Sequence, residues 1–306
     1  MSLSVKRLGV VLDGHALVDD FSIELQAGRV HAVVGESGSG KTLSALAVLG
    51  LGPEGATVRG SAVRGGVELL TAAAPLRRAG LAMVLQEPLS ALNPVLSVGA
   101  QLLETLSVHG AGGDRRAAAL ALLAEVGIPS GEERLKMFPH QLSGGQRQRV
   151  SIACALAASP AVLIADEPTT ALDASMRGVI LTLLRRLARD RALAVWLITH
   201  DLHAVRGASD EVTVMYAGRV VEHGPTAGVL ETPRHPYTVA LLASNPAGAK
   251  VGVPLPTLAG SVPLAREVIG GCRFHPRCSR VVERCRVERP EFFEGVACHL
   301  AHGAGT

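Results

Sequence analysis

The sequence predicts an α/β fold, a mostly parallel sheet flanked by helices, followed by a small cysteine-bearing tail. Three observations carry this. Apolar runs of strand length recur at RVHAVVG (29–35), LAMVLQ (81–86), AVLIAD (161–166) and LAVWLIT (193–199). Helix-like segments separate them, the alternation that builds parallel strands covered on both faces. The first run passes directly into a glycine-rich turn and then into the helically spaced KTLSALAVLG.

The elements follow in order. The start, MSLSVKRLGVVLDG, has neither the apolar run nor the small-residue cleavage site of a secretory signal, so the chain is expected in the cytosol. The turn GESGSGKT, Gly35 to Thr42, fits the phosphate-loop pattern G-x-x-x-x-G-K-[ST] in its required place between strand and helix. Its glycines let backbone N–H groups close on phosphate oxygens, and the helix start adds positive potential. Lys41 reaches the outer phosphates and Thr42 suits Mg²⁺. Residues 97–127 carry Leu, Ala and Glu at helical spacing around a GAGGD turn at 110–114, a largely helical insertion. At Leu142, LSGGQRQRVSIACALAA runs from a Ser-Gly-Gly turn straight into a helix, a second start with free backbone donors. AVLIADEP ends a strand in Asp166 and Glu167, carboxylates placed for Mg²⁺ and for an attacking water; Pro168 also allows a plain helix cap there. Beyond residue 245, SNPAGAKVGVPLPTLAGSVP is rich in Pro and Gly and reads as a linker. The expected organisation is a nucleotide-binding domain over 1–245, with its helical part at about 90–158, and a linker and tail over 246–306.

Composition removes several classes. With 48% hydrophobic and 19% charged residues the 306-residue chain belongs among folded proteins. Aromatic residues make up only 3% and the net charge is +3 with scattered arginines, so no nucleic-acid partner is indicated. The longest uncharged apolar run, 150–165, is broken by Pro160 and is too short to span a bilayer.

Two phosphate-binding helix starts for one nucleotide suggest two such domains pairing head to tail. In combination, the phosphate loop, LSGGQ, ADEPTTALD and LITHD resemble the ATP-binding subunit of ABC (ATP-binding cassette) transporters over residues 3–245. The resemblance implies an ATPase of that fold, with antiparallel N-terminal strands beside the parallel sheet. It assigns Gly35, Glu36, Ser37, Gly38, Ser39, Gly40, Lys41 and Thr42 to ATP, and Thr42, Gln86 and Asp166 to Mg²⁺. Glu167, Gln86 and His200 become the catalytic set, with Gln86 also sensing the transmembrane partner and His200 contacting the γ-phosphate. Ser143, Gly144, Gly145 and Gln146 act on the partner's nucleotide, and Asp173 signals across the dimer. Outside this context His200 reads as an ordinary strand-end histidine. One departure is Leu12, where the family usually carries an aromatic that stacks on adenine.

QEPLSALNPVLSVGAQL, PRHPYTVALLAS (233–244) and the cysteine tail narrow the resemblance to the peptide/nickel importer branch, the oligopeptide and dipeptide permease ATPases. ADEPTTALD and KMFPHQLSGG look more like the first of that system's two sister ATPases. The implied partners are a sister ATPase, two transmembrane permease subunits and, indirectly, an extracytoplasmic solute-binding protein, with the chain peripheral on the cytoplasmic membrane face. A soluble ABC ATPase acting on DNA or ribosomes and an exporter cassette are the alternatives.

Four of five cysteines, Cys272, Cys278, Cys285 and Cys298, crowd the tail, while Cys154 reads as a small buried hydrophobe. Their gaps fit neither common zinc ribbons nor a secreted disulfide framework. Four thiolates suit iron–sulfur or zinc chemistry, and reduced thiols in a packed tail are a third option. The resemblance implies a four-iron four-sulfur cluster on these four residues, with His275 and His299 near enough to replace a cysteine.

Overall fold

The computed structural model describes residues 3–70, 80–87, 91–110, 112–244, 258–267 and 269–301. The elements in the first third are β1 (Leu3–Leu12), β2 (His15–Leu25), β3 (Val30–Val34), α1 (Lys41–Val48), β4 (Thr57–Arg64), β5 (Val67–Glu68) and β6 (Leu81–Val84). Next come α2 (Val98–Val108), α3 (Arg115–Glu125), α4 (Gly131–Lys136), α5 (Gly144–Ala157), β7 (Val162–Asp166), α6 (Ala174–Asp190) and β8 (Ala194–Thr199). The chain continues with β9 (Glu211–Tyr216), β10 (Arg219–Pro225), α7 (Thr226–Glu231), α8 (Pro236–Ala243) and α9 (Glu283–Val287).

These form two compact units. The first takes in residues 25–30 and 73–198. Its strands β6, β7 and β8 are parallel neighbours, with Val84 opposite Ala165 and Asp166 opposite Ile198. Every residue of β7 is buried, and β8 is buried along its length, which is why both appear in the sequence as unbroken apolar runs. Helices α2 to α5 pack on one another and account for the expected helical insertion. Asp114 ends the GAGGD turn by accepting from the amides of Arg116 and Ala117, which starts α3. Helix α6 buries Ile180, Leu184 and Leu187 along one stripe.

The second unit takes in residues 4–24, 31–72 and 199–306. It holds a four-stranded sheet in the order β2-β1-β4-β5, and the hairpin β9-β10 with β3 parallel to β9. The antiparallel N-terminal strands are thus present. Hairpin turns at Asp13-Gly14, Gly65-Gly66 and Ala217-Gly218 have positive φ at both central residues, the turn whose twist matches two antiparallel strands. The tail attaches to β10. A register shift between Val220 and Glu222 frees that strand to bridge Val296, and the amide of Ala297 donates to the Val221 carbonyl. Much of the expected linker, residues 245–257, lies outside the described residues.

Candidate active site

The fully buried β3 delivers the chain to Gly35 with no room for a side chain. A Cβ there would stand 2.2 Å from the Met215 carbonyl oxygen and 2.8 Å from Ser39 Oγ. The loop is tied at both ends. The Ser39 amide donates to the Glu36 carbonyl, and the Ser39 carbonyl accepts from the Gly218 amide of the β9-β10 turn. Helix α1 begins after Gly40, which supplies no side-chain cap. Lys41 is buried and stretches back along the loop, its Nζ donating to the carbonyls of Gly35 at 2.7 Å and Glu36 at 3.0 Å. Ser37 and Gly38 are exposed and Thr42 is half-buried. His200, in the same unit, is exposed just past β8, and Leu12 is half-buried at the end of β1.

The carboxylates belong to the first unit. Asp166 closes β7 and is buried. Glu167 turns sharply with φ of 47°, its amide donating to the Ile198 carbonyl and its Oε2 accepting from the Thr170 hydroxyl at 2.6 Å. Asp173 caps α6 by accepting from the Met176 amide; the Ser175 hydroxyl and that amide hold its carboxyl below the usual range. Ser143 and Gln146 form a reciprocal capping box at the start of α5. The signature turn and the segment after Glu167 are in close contact. A Cβ on Gly144 would meet Leu172, and one on Gly145 would meet the end of Met176. Gln86 is exposed after β6. The first unit thus brings the Ser143–Gln146 turn to the segment that holds Asp173, while Gly35–Thr42 belongs to the second. The donors named for Mg²⁺, an amide, a hydroxyl and a carboxylate, are hard oxygen ligands of the type that ion takes.

The four tail cysteines line one cavity of only about 10 Å³, together with His275 and His299. Burial pushes the Cys272 thiol up to about 11, and it raises Cys278 and Cys298 as well, with neighbouring thiols adding to each shift. All five cysteines are free. Among the described residues no group of three or more His, Cys, Asp or Glu side chains is arranged to hold a metal ion. The donors thus suit iron–sulfur or zinc in number and softness, but not in spacing. His275 and His299 each commit a ring nitrogen to a backbone carbonyl, of Cys272 and Glu288. Burial lifts the Cys154 thiol to about 12, in keeping with a small hydrophobe.

Sequence reasoning assigned no role to two residues that touch the phosphate loop. The Glu36 amide donates to Tyr237 Oη, and the Glu36 carboxylate accepts from Arg277. Tyr237 lies inside PRHPYTVALLAS, and its position there was the only available signal. A cavity of about 590 Å³ in the same unit is lined by Asp19, Arg219, Arg273 and Arg289 among others, and by no phosphate-loop residue. It is therefore not where phosphate chemistry would take place.

A family model described as "ABC transporter" matches residues 18–170, and one described as "Oligopeptide/dipeptide transporter, C-terminal region" matches 221–285. The second includes Cys272, Cys278 and Cys285 and stops short of Cys298. The dipeptide transport ATP-binding protein DppD of Escherichia coli (strain K12) is 44% identical over 280 residues, 89% of this chain and 86% of that protein. The oligopeptide transport ATP-binding protein OppD of the same organism is 41% identical over 305 residues, 96% and 90% of the two chains. Among solved structures, the dimeric post-hydrolysis state of the ATP-binding cassette MJ0796 bound to ADP and Pi aligns with a TM-score of 0.64 at 25% identity, covering 73% of this chain and 98% of that one.

Proposed function

The chain belongs to the family of ABC transporter ATP-binding subunits, and from that premise we propose that it powers the uptake of dipeptides or oligopeptides through partner membrane subunits. The observation that carries the peptide reading is the pair of matches on one chain, a cassette followed by the C-terminal region of oligopeptide and dipeptide transporters. No helix among the described residues is long and apolar enough to cross a membrane, so the solute path is assigned to other chains.

The proposed chemistry gives each of these residues a part. Backbone N–H groups of Gly35–Thr42 and the start of α1 receive the phosphates, and Lys41 swings from its carbonyls to the outer ones. Thr42, Gln86 and Asp166 would hold Mg²⁺, which would supply charge neutralisation when bound. Glu167, aimed by its turn and by Thr170, orients and deprotonates the attacking water, while His200 donates to the γ-phosphate. Ser143–Gln146 close the nucleotide of a second cassette, and Asp173 links the two sites. That second cassette is a sister ATPase, and the assembly includes two permease subunits fed by an extracytoplasmic solute-binding protein. The chain then sits on the cytoplasmic membrane face.

We assign Cys272, Cys278, Cys285 and Cys298 to a four-iron four-sulfur cluster. The support is the resemblance and the convergence of four thiols on one cavity. Holding the cluster would change the spacing these thiols have here, and no step of hydrolysis is routed through it.

Glu167→Gln removes the base and keeps the shape. ATP hydrolysis in the assembled complex should fall at least about 100-fold while ATP binding persists. Hydrolysis at the unaltered rate would remove Glu167 from its role.

A further inference from the structure

We propose that Arg277 and Tyr237 are positioning residues of the nucleotide site, through which the C-terminal region holds the phosphate loop in its working shape. The inference rests on the ATP-binding reading of that loop. Both residues act on Glu36, one through its main chain and one through its side chain. The Glu36 amide donates to Tyr237 Oη at 2.9 Å. Its two carboxylate oxygens accept from Arg277 Nη1 at 2.7 Å and Nη2 at 3.1 Å, a bidentate pair.

Neither partner is free to wander. The Arg277 side chain is 6% exposed; its Nε donates to the Ala259 carbonyl, Nη1 reaches the Tyr216 hydroxyl, and the guanidinium lies 5.7 Å from the Tyr216 ring centroid. Tyr237 is fully buried, with ring centroids 4.7 Å from Tyr216 and 5.4 Å from Phe274. The segment that presents it is pinned to β10. The buried Glu222 carboxylate accepts from the amides of Arg234 and His235, and His235 Nδ1 accepts from the Tyr237 amide. Arg277 projects from a short 3₁₀ turn, 275–277, whose amides return to the carbonyls of Cys272 and Phe274.

The clamp lands where it can affect chemistry. The Gly35 and Glu36 carbonyls that receive Lys41 Nζ flank the Glu36 residue it grips. Rotation of those peptides would move the ammonium that meets the outer phosphates. A strap needed only to hold the tail could end anywhere on the cassette; this one ends on the loop itself.

The test uses the full chain and reads equilibrium binding of ATP and ADP by fluorescence titration, with the melting temperature of the nucleotide-free protein measured alongside. Tyr237→Phe deletes one acceptor and keeps the ring packing. Arg277→Gln deletes the bidentate pair. Each should weaken nucleotide binding about tenfold, the scale of losing hydrogen bonds to a positioned group. Arg277→Lys should recover part of the loss, and Glu36→Gln combined with Arg277→Gln should be no weaker than either alone. If Arg277→Gln does not fold, Tyr237→Phe decides. Binding within twofold of wild type in Tyr237→Phe and Arg277→Gln, or losses in the double variant that simply add, would overturn the clamp. Failure of the unaltered chain to bind ATP would overturn the ATP-binding reading together with it.

Discussion

Glu167 and Asp19 show how single residues are held against their own preferences. A φ of 47° costs a non-glycine residue about 1–2 kcal/mol, and at Glu167 that conformation turns the carboxylate off the end of β7 into its bond with Thr170. At Asp19, burial alone would raise the carboxyl, but Arg219 at 2.8 Å and the charges of Arg289 and Arg273 lower it overall. Asp19→Asn leaves three guanidiniums facing one another and should destabilise the fold by about 1–3 kcal/mol at neutral pH, measured by urea unfolding. Because its carboxyl lies lower folded than unfolded, this contribution is full above the ordinary carboxylate range. It is lost as pH falls below about 4. Wild type should therefore lose stability more steeply than the variant in that acid window. Equal acid slopes would remove Asp19 from this role. The placement of Gly35–Thr42 between β3 and α1, and of Asp166 at the end of β7, was legible in the sequence because each follows an unbroken apolar run. Arg277 and Tyr237 were not, since each reaches Glu36 from more than 200 residues away.

Among elements, β3, β7 and β8 could be read in advance because strands buried on both faces stay apolar throughout. β4 could not, since only Ala62 of TVRGSAVR is buried and glycine interrupts it. The tail was equally opaque. Its shape comes from side chains meeting, Phe274 with Tyr216 and His235, and not from any periodicity. Its cysteines carry an element-scale prediction. Protein purified anaerobically should contain about four iron and four labile sulfide per chain, and Cys285→Ser should lose both. Stoichiometric zinc, or no metal and no labile sulfide, would end the iron–sulfur assignment.

At the scale of the whole molecule, the LSGGQ segment, with its Ser143–Gln146 capping box, is a second helix start in addition to that of the phosphate loop. That surplus makes pairing with a second cassette the economical account. Family and cassette fold were legible because their motifs are dense and ordered. The peptide reading comes from the C-terminal region and from relatives, not from any motif of the phosphate site. The proposed function couples ATP hydrolysis here to peptide import. The most direct measurement is uptake of a radiolabelled dipeptide and a radiolabelled oligopeptide by cells carrying either the unaltered chain or Glu167→Gln at equal abundance. At least one of them should accumulate with the unaltered chain and fail to do so with the variant; accumulation of both at the same rate in the two strains would rule that coupling out.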